Sequence, residues 1–255
     1  YGSAELISGR AREILQLRQE TCDNLNVARF HTKWCPKPGR MSPKVVRDAI
    51  DERADRLGVE SVDLLQLHWW TFQHPGYLDA MEGLMLAHEG GRIANIGLTN
   101  FDTDHLLVLL RHGFLVVSNQ VVVSLLDQRA LGDMTTEVLK NGIKLFAYGV
   151  LAGGFLTERW LDKPEPGNSE LNDWSKMKYK RFIDETGGWE NLQIILRALT
   201  SVAQRHDVSV ANVATRWVLD QPAVGAVIIG ARLTESQHRQ DNLTIFSFVL
   251  DEEDK

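Results

Sequence analysis

The sequence predicts an α/β fold with parallel strands. Short apolar runs rich in β-branched residues alternate with longer helical patterns. Most of those runs are apolar on both faces, as strands covered by helices on two sides are. Successive runs also end in polar residues: Lys33, His68, Thr99-Asn100, Asn119-Gln120 and Tyr148. In a (β/α) barrel the C-terminal strand ends form the active-site face.

Each element has a local cause. Ser3 caps a helix running to about 19, and 26–33 (NVARFHTK) is the first strand. Ser42-Pro43 places an N-cap and a proline at the first helical position, before Val45, Val46, Ala49, Ile50 and Leu57. Gly58 ends that helix. Strands follow at 62–69 and 94–99; Asp102 then opens a helix carrying Leu106, Leu107, Leu109 and Leu110. A strand at 116–123, a helix at 127–141 ended by Asn141-Gly142, and a strand at 144–150 come next. Residues 191–206 and 209–220 read as helices, 223–230 as a sixth strand, and a short last helix starts near Thr234. The exception to the short connections is 152–190, with Gly, Pro, Asn and Trp160, Trp174 and Trp189. A loop that long is functional or disordered as a rule, and its tryptophans point to a lid that packs on something.

Composition narrows the function. The chain has 255 residues, 44% hydrophobic and 24% charged, which excludes collagen-like, low-complexity and wholly disordered chains. The length suits one (β/α) barrel domain, 1–255, with no linker dividing it. A net charge of −6 argues against a nucleic-acid or anionic-membrane partner. No apolar run reaches the ~18–20 residues that span a bilayer. Two cysteines, Cys22 and Cys35, are too few for a disulfide framework and read as reduced thiols in a cytoplasmic protein. No paired cysteines or His-x-x-x-His spacing suggests a metal. No G-x-G-x-x-G or Walker glycine pattern stands at a strand–helix turn, which weakens a doubly wound dinucleotide-binding fold. Taken singly, Lys33 reads as a solvated lysine, His68 as a core histidine and Tyr148 as plain core.

Together, in order, these residues resemble the aldo-keto reductase family. Tyr1-Gly2-Ser3-Ala4-Glu5 is similar to the segment around the family's catalytic tyrosine. Thr32-Lys33 resembles its lysine strand, and Asp63-Leu64-Leu65-Gln66-Leu67-His68-Trp69 its histidine strand. Gly91-Arg92-Ile93-Ala94-Asn95-Ile96-Gly97-Leu98-Thr99-Asn100-Phe101 resembles the G-K-I-R-x-I-G-x-S-N-F signature, with Arg92 for Lys and Thr99 for Ser. Ser118-Asn119-Gln120, Ala147-Tyr148-Gly149-Val150-Leu151, and Ile229-Gly230-Ala231-Arg232 followed by Asn242 resemble the later cofactor segments.

The resemblance implies a (β/α)₈ TIM barrel that binds NADP(H) without a Rossmann domain and exchanges hydride with an aldehyde or ketone, a small-molecule carbonyl substrate. It assigns Tyr1 as general acid, Lys33 as the ammonium that lowers the phenol pKa, and His68 as a donor to the carbonyl. It assigns Thr99, Asn100, Gln120, Tyr148, Gly149, Leu151, Gly153, Gly230, Arg232, His238 and Asn242 to the cofactor, Arg232 at the 2′-phosphate with Gln237 nearby. Trp69 and Trp70 either line a substrate pocket or cap the barrel rim. Aligned by these motifs, the chain matches about six of the family's eight βα units and is short at both ends. Strands 26–33 and 223–230 then show open edges that invite self-association. The alternative expectation is a cofactor-binding or regulatory subunit, or an inactive truncated fragment.

Overall fold

Strand–helix alternation runs through the computed structural model of the protein, which describes residues 2–19, 29–167, 169–171, 174–230 and 238–254. The elements are α1 (Ser3–Gln19), β1 (His31–Trp34), α2 (Pro43–Leu57), β2 (Leu64–His68), α3 (Gly76–Glu89), β3 (Ile96–Thr99), α4 (Thr103–Arg111), β4 (Ser118–Val122), α5 (Asp133–Lys140), β5 (Lys144–Tyr148), α6 (Trp174–Glu185), α7 (Gly188–His206), α8 (Val210–Leu219), β6 (Val224–Ile228) and α9 (Arg239–Thr244). The strands lie in the sheet in chain order. The pairs β1–β2, β2–β3, β3–β4 and β5–β6 are parallel, which makes the fold α/β as the sequence predicts. The strands are shorter than their apolar runs, and part of the first run lies outside the described residues. The chain divides into two compact units, residues 1–120 and 121–255, with the division inside β4.

The first unit is built on β2 and β3, buried along their whole length. Leu65, Leu67, Ile96 and Leu98 supply its apolar centre, against Ile50 of α2 and Met81 and Leu84 of α3. α2 begins and ends as its sequence dictates. The Ser42 hydroxyl accepts from the Val45 N–H, Pro43 opens the helix, and Gly58 closes it at φ 64°. Two glycines permit close helix contacts. A Cβ on Gly9 of α1 would lie 2.5 Å from the Arg56 carbonyl of α2, and one on Gly83 of α3 would lie 2.8 Å from the Val46 side chain. α1 is also tied down by Glu5, a buried carboxylate that accepts from the Thr32 hydroxyl of β1 and from Arg56 Nη1 at 3.1 Å.

α3 has no counterpart in the sequence reading. Its N-cap is Pro75, with no capping side chain, and it contains Gly83. Its apolar residues (Tyr77, Leu78, Ala80, Met81, Leu84, Met85, Leu86, Ala87) leave no clean polar face. The helix expected at 127–141 is instead a 3₁₀ turn at Arg129–Leu131 followed by α5, with Gly132 at φ −89°, ψ −124° breaking the run.

The second unit packs β5 and β6 with α7 and α8. Leu192, Leu196, Val210, Val213 and Ala214 are buried in its core with Phe155, Leu156 and Ile183 from the long connection. That connection, expected as a loop, holds two 3₁₀ turns and the 12-residue helix α6. Met177, Tyr179, Phe182 and Ile183 recur at helical spacing there, with no Gly or Pro between them. Phe155, Trp160 and Trp189 form an aromatic cluster with centroids 5.0, 5.6 and 6.0 Å apart. The Trp189 indole donates to the Lys163 carbonyl at 2.8 Å, and Gln193 donates to the Trp160 carbonyl at 2.9 Å. Trp174 stays 80% exposed, so only two of the three tryptophans anchor the segment.

Candidate active site

In parallel strands, register partners share a face, and so do residues two apart along each strand. The register aligns His68 with Thr99 and Thr99 with Gln120. Two residues deeper it aligns Lys33 with Gln66, Gln66 with Gly97, and Gly97 with Ser118. One face at the C-terminal end of the first unit's sheet therefore carries two polar rows. The outer row is His68, Thr99 and Gln120; the inner is Lys33, Gln66 and Ser118, with Gly97 between the last two. All are buried except Lys33, which is half-buried.

Gly97 keeps the inner row tight, since a Cβ there would lie 2.6 Å from Ser118 Oγ. Gln66 is satisfied by the Leu98 carbonyl at 3.1 Å. Three atoms of the rows are buried with no hydrogen-bond partner among the described residues: His68 Nδ1, Ser118 Oγ and Gln120 Oε1. Gln66 and Ser118 were not singled out in the sequence. Their period-2 spacing before His68 and Gln120 is the signal that could have found them.

His68 ends β2. Its Nε2 lies 3.2 Å from the Asn100 amide nitrogen. Asn100 occupies the left-handed region at φ 59°, which asparagine tolerates better than most residues, and its N–H donates to the Gln120 carbonyl at 2.9 Å. Burial, and secondarily the charge of Lys33, hold the His68 imidazole below its ordinary pKa. Burial likewise lowers the Lys33 ammonium. A neutral imidazole beside a half-buried ammonium can donate a hydrogen bond to an oxygen that is gaining charge.

The tandem tryptophans separate. Trp69 is 2% exposed, and its Nε1 donates to the Thr71 and His74 carbonyls at 2.7 and 3.2 Å. Trp70 is 68% exposed and stacks on His68 with centroids 4.6 Å apart.

In the second unit, β5 ends at Tyr148 and runs into a turn with left-handed φ at Gly149 (71°), Ala152 (47°), Gly153 (66°) and Gly154 (93°). The turn closes on itself: Ala152 N–H donates to the Gly149 carbonyl at 2.8 Å and Gly154 N–H to the Leu151 carbonyl at 2.9 Å. Tyr179 of α6 lies against this turn. A Cβ on Gly149 would meet its hydroxyl at 2.3 Å, and one on Gly153 would meet its ring at 2.7 Å. Burial, with Tyr148 and Asp127 adding to it, pushes the Tyr179 phenol up to about 12. The Lys178 ammonium sits 4.8 Å from the Tyr148 ring centroid and 5.2 Å from that of Tyr179. Neither α6 residue stands out in the sequence, because the glycines and prolines around the segment predict a loop.

Gly230 is exposed beyond the end of β6. His238 precedes α9 and its carbonyl accepts from Asn242 N–H at 2.8 Å. α9 is fastened to α8 through Asp241, which accepts from Asn212 Nδ2 at 3.0 Å. Tyr1, Arg232 and Gln237 lie outside the described residues.

These parallel strands with polar C-terminal ends are those of a known class. The model of the aldo/keto reductase family matches residues 3–255, and the chain belongs to that family. It is 24% identical over 219 residues to the NADH-specific methylglyoxal reductase of Escherichia coli (strain K12), covering 84% of this chain and 63% of that protein. It is 29% identical over 210 residues to an aldo-keto reductase of Mycobacterium sp. (strain MCS), covering 82% of this chain and 59% of that one. It is also 29% identical over 181 residues to flagellar radial spoke protein 5 of Chlamydomonas reinhardtii, covering 63% of this chain and 34% of that protein. The chain thus spans between 34% and 63% of these relatives' lengths. Among solved structures, it resembles the glycerol dehydrogenase of Gluconobacter oxydans with TM-score 0.76 at 23% identity, over 98% of this chain and 74% of that one. It resembles a Klebsiella pneumoniae aldo/keto reductase in complex with NADP and acetate with TM-score 0.67 at 20% identity, over 98% of this chain and 72% of that one.

Proposed function

We propose that the protein is a cytoplasmic oxidoreductase that exchanges hydride between NADP(H) and an aldehyde or ketone. The observation that carries this reading is the pair of polar rows on β1–β4, with three buried atoms lacking hydrogen-bond partners among the described residues. Each unsatisfied buried group costs about 1–3 kcal/mol, so a face carrying three suits a polar guest. A carboxamide or a carbonyl brings the acceptors and donors these atoms lack.

When bound, a nicotinamide dinucleotide supplies the hydride. The chain's residues manage the charge and the proton. Tyr1 donates the proton to the carbonyl oxygen; a phenol near pKa 10 is a poor donor alone, and the Lys33 ammonium favours its ionised form. His68, kept neutral by burial, donates a hydrogen bond to the same oxygen and orients it. Thr99, Asn100 and Gln120 hold the carboxamide. In the second unit, Tyr148 offers its ring face, Gly149, Leu151 and Gly153 offer backbone, and Gly230, His238 and Asn242 serve the adenosine end. Arg232 pairs with the 2′-phosphate, which selects NADPH over NADH. Trp70 presents an open indole beside His68 and favours an apolar or aromatic carbonyl.

Fluorescence of the seven tryptophans, titrated with NADPH and with NADH, tests binding. Saturable quenching at lower NADPH than NADH is expected, followed by carbonyl-dependent loss of NADPH absorbance. No binding refutes the reading, equal binding refutes the role of Arg232, and full turnover by Tyr1→Phe refutes that of Tyr1. The similarity to a radial spoke protein favours one second reading, a cofactor-binding subunit of an assembly, which would bind NADPH without turning over carbonyls.

A further inference from the structure

We infer that Trp70 is a positioning residue for His68: its indole, pinned by Cys35, fixes the plane of the imidazole. The His68 backbone is set by its pairing with Thr99, but the ring can still turn about its last side-chain bond. The hydrogen-bond contact on the ring is the one to Asn100, at Nε2. Nδ1 has no partner. One face of the ring carries the indole, 4.6 Å away with the planes 29° apart.

Core packing does not explain where that indole sits. Trp70 is 68% exposed, while its neighbour Trp69 is 2% exposed. Holding an exposed tryptophan in one place costs side-chain entropy, and two contacts offset it. One is the stack on His68; the other is a hydrogen bond from Trp70 Nε1 to Cys35 Sγ. Cys35 follows β1 two residues after Lys33. The indole therefore spans from the lysine strand to the histidine strand and sets the imidazole relative to both. The charged group that acts on the ring among the described residues is Lys33. The role in turnover rests on the proposal that His68 faces the carbonyl, but the positioning itself does not.

The test is a long-range ¹H–¹⁵N spectrum of the histidine rings at about pH 8, where a histidine with a lowered pKa is neutral. Far-UV circular dichroism checks folding. In the native protein the His68 ring protons lie upfield, under the indole, and one tautomer dominates. Trp70→Ala is expected to lose the upfield displacement and to move the two nitrogen shifts toward a tautomer average. Trp70→Phe keeps the stack and most of the displacement. Cys35→Ser retains an acceptor and stays near native, whereas Cys35→Val moves part of the way toward Trp70→Ala. Native His68 shifts in folded Trp70→Ala would overturn the inference. Should Trp70→Ala fail to fold, native shifts in Cys35→Val would do the same. With a small aliphatic aldehyde, Trp70→Ala should lower kcat roughly tenfold or more with KM unchanged. A native protein with no turnover refutes the proposed function and leaves the spectra to decide the positioning.

Discussion

Replacing Glu5 by alanine removes a carboxylate that is 3% exposed and shared by Thr32 of β1 and by Arg53 and Arg56 of α2. The Arg53 side chain is 9% exposed and keeps the Lys33 and Ala49 carbonyls at 3.0 and 2.7 Å and the half-exposed Glu52 carboxylate at 3.1 Å, but it loses its buried anion. Breaking a buried pair from one side costs about 3–5 kcal/mol. The low end applies, because Arg56 is 30% exposed and retains Glu52. With about 2.1 cal/mol/K of unfolding entropy per residue, 255 residues give about 0.5 kcal/mol/K, so ~3 kcal/mol lowers Tm by about 6 °C. If residues 1–120 melt as a separate unit, the same loss costs about 12 °C in the first transition and nothing in the second. Differential scanning calorimetry reads both numbers. Glu5→Gln, which keeps a partner for Thr32 and loses the charge, should fall between. A shift under about 2 °C in Glu5→Ala would refute the claim that this carboxylate fastens α1 to the sheet.

Two further outcomes are expected in the second unit. Burial pushes the Tyr179 phenol up to about 12, from about 10 for an ordinary tyrosine, so the fold holds the proton more tightly. Its contribution is fully present below pH 10 and is lost as pH rises toward 12, about 2–3 kcal/mol in all. Denaturant melts between pH 9 and pH 12, compared with Tyr179→Phe, should show the native slope steeper; equal slopes would disprove it. Gly149→Ala puts a Cβ 2.3 Å from the Tyr179 hydroxyl at a left-handed φ of 71°. It should cost about 1–2 kcal/mol from the backbone alone, with a further part from the clash that Tyr179→Ala relieves. A double-mutant cycle showing no coupling would mean the ring does not press on the turn.

The polar strand ends could be read because a strand's C-terminus is marked twice, by the end of an apolar run and by the turn residues after it. Lys33, His68 and Thr99 carry both marks. Ser42, Pro43 and Gly58 punctuate α2 by local chemistry alone, and the structure reproduces them. What stayed hidden is set by register or by neighbours. The alignment of Gln66, Gly97 and Ser118 exists only once β2, β3 and β4 are paired. α3 was hidden by a missing cap and by apolar residues on several faces, and α6 by the glycines and prolines around it. The split fate of Trp69 and Trp70 depends on Tyr77, 6.2 Å from Trp69, and on Cys35, which is remote in sequence.

Asn100 has a consequence beyond its own residue. Its backbone belongs to the end of β3, its N–H is bonded to β4, and its amide meets the histidine of β2. One left-handed residue is thus a cross-brace over three strands. The ends of β2, β3 and β4 are thereby linked through one residue, so a shift of any one of them disturbs a hydrogen bond to another. A substitution at this one position should therefore loosen three strand ends together rather than one.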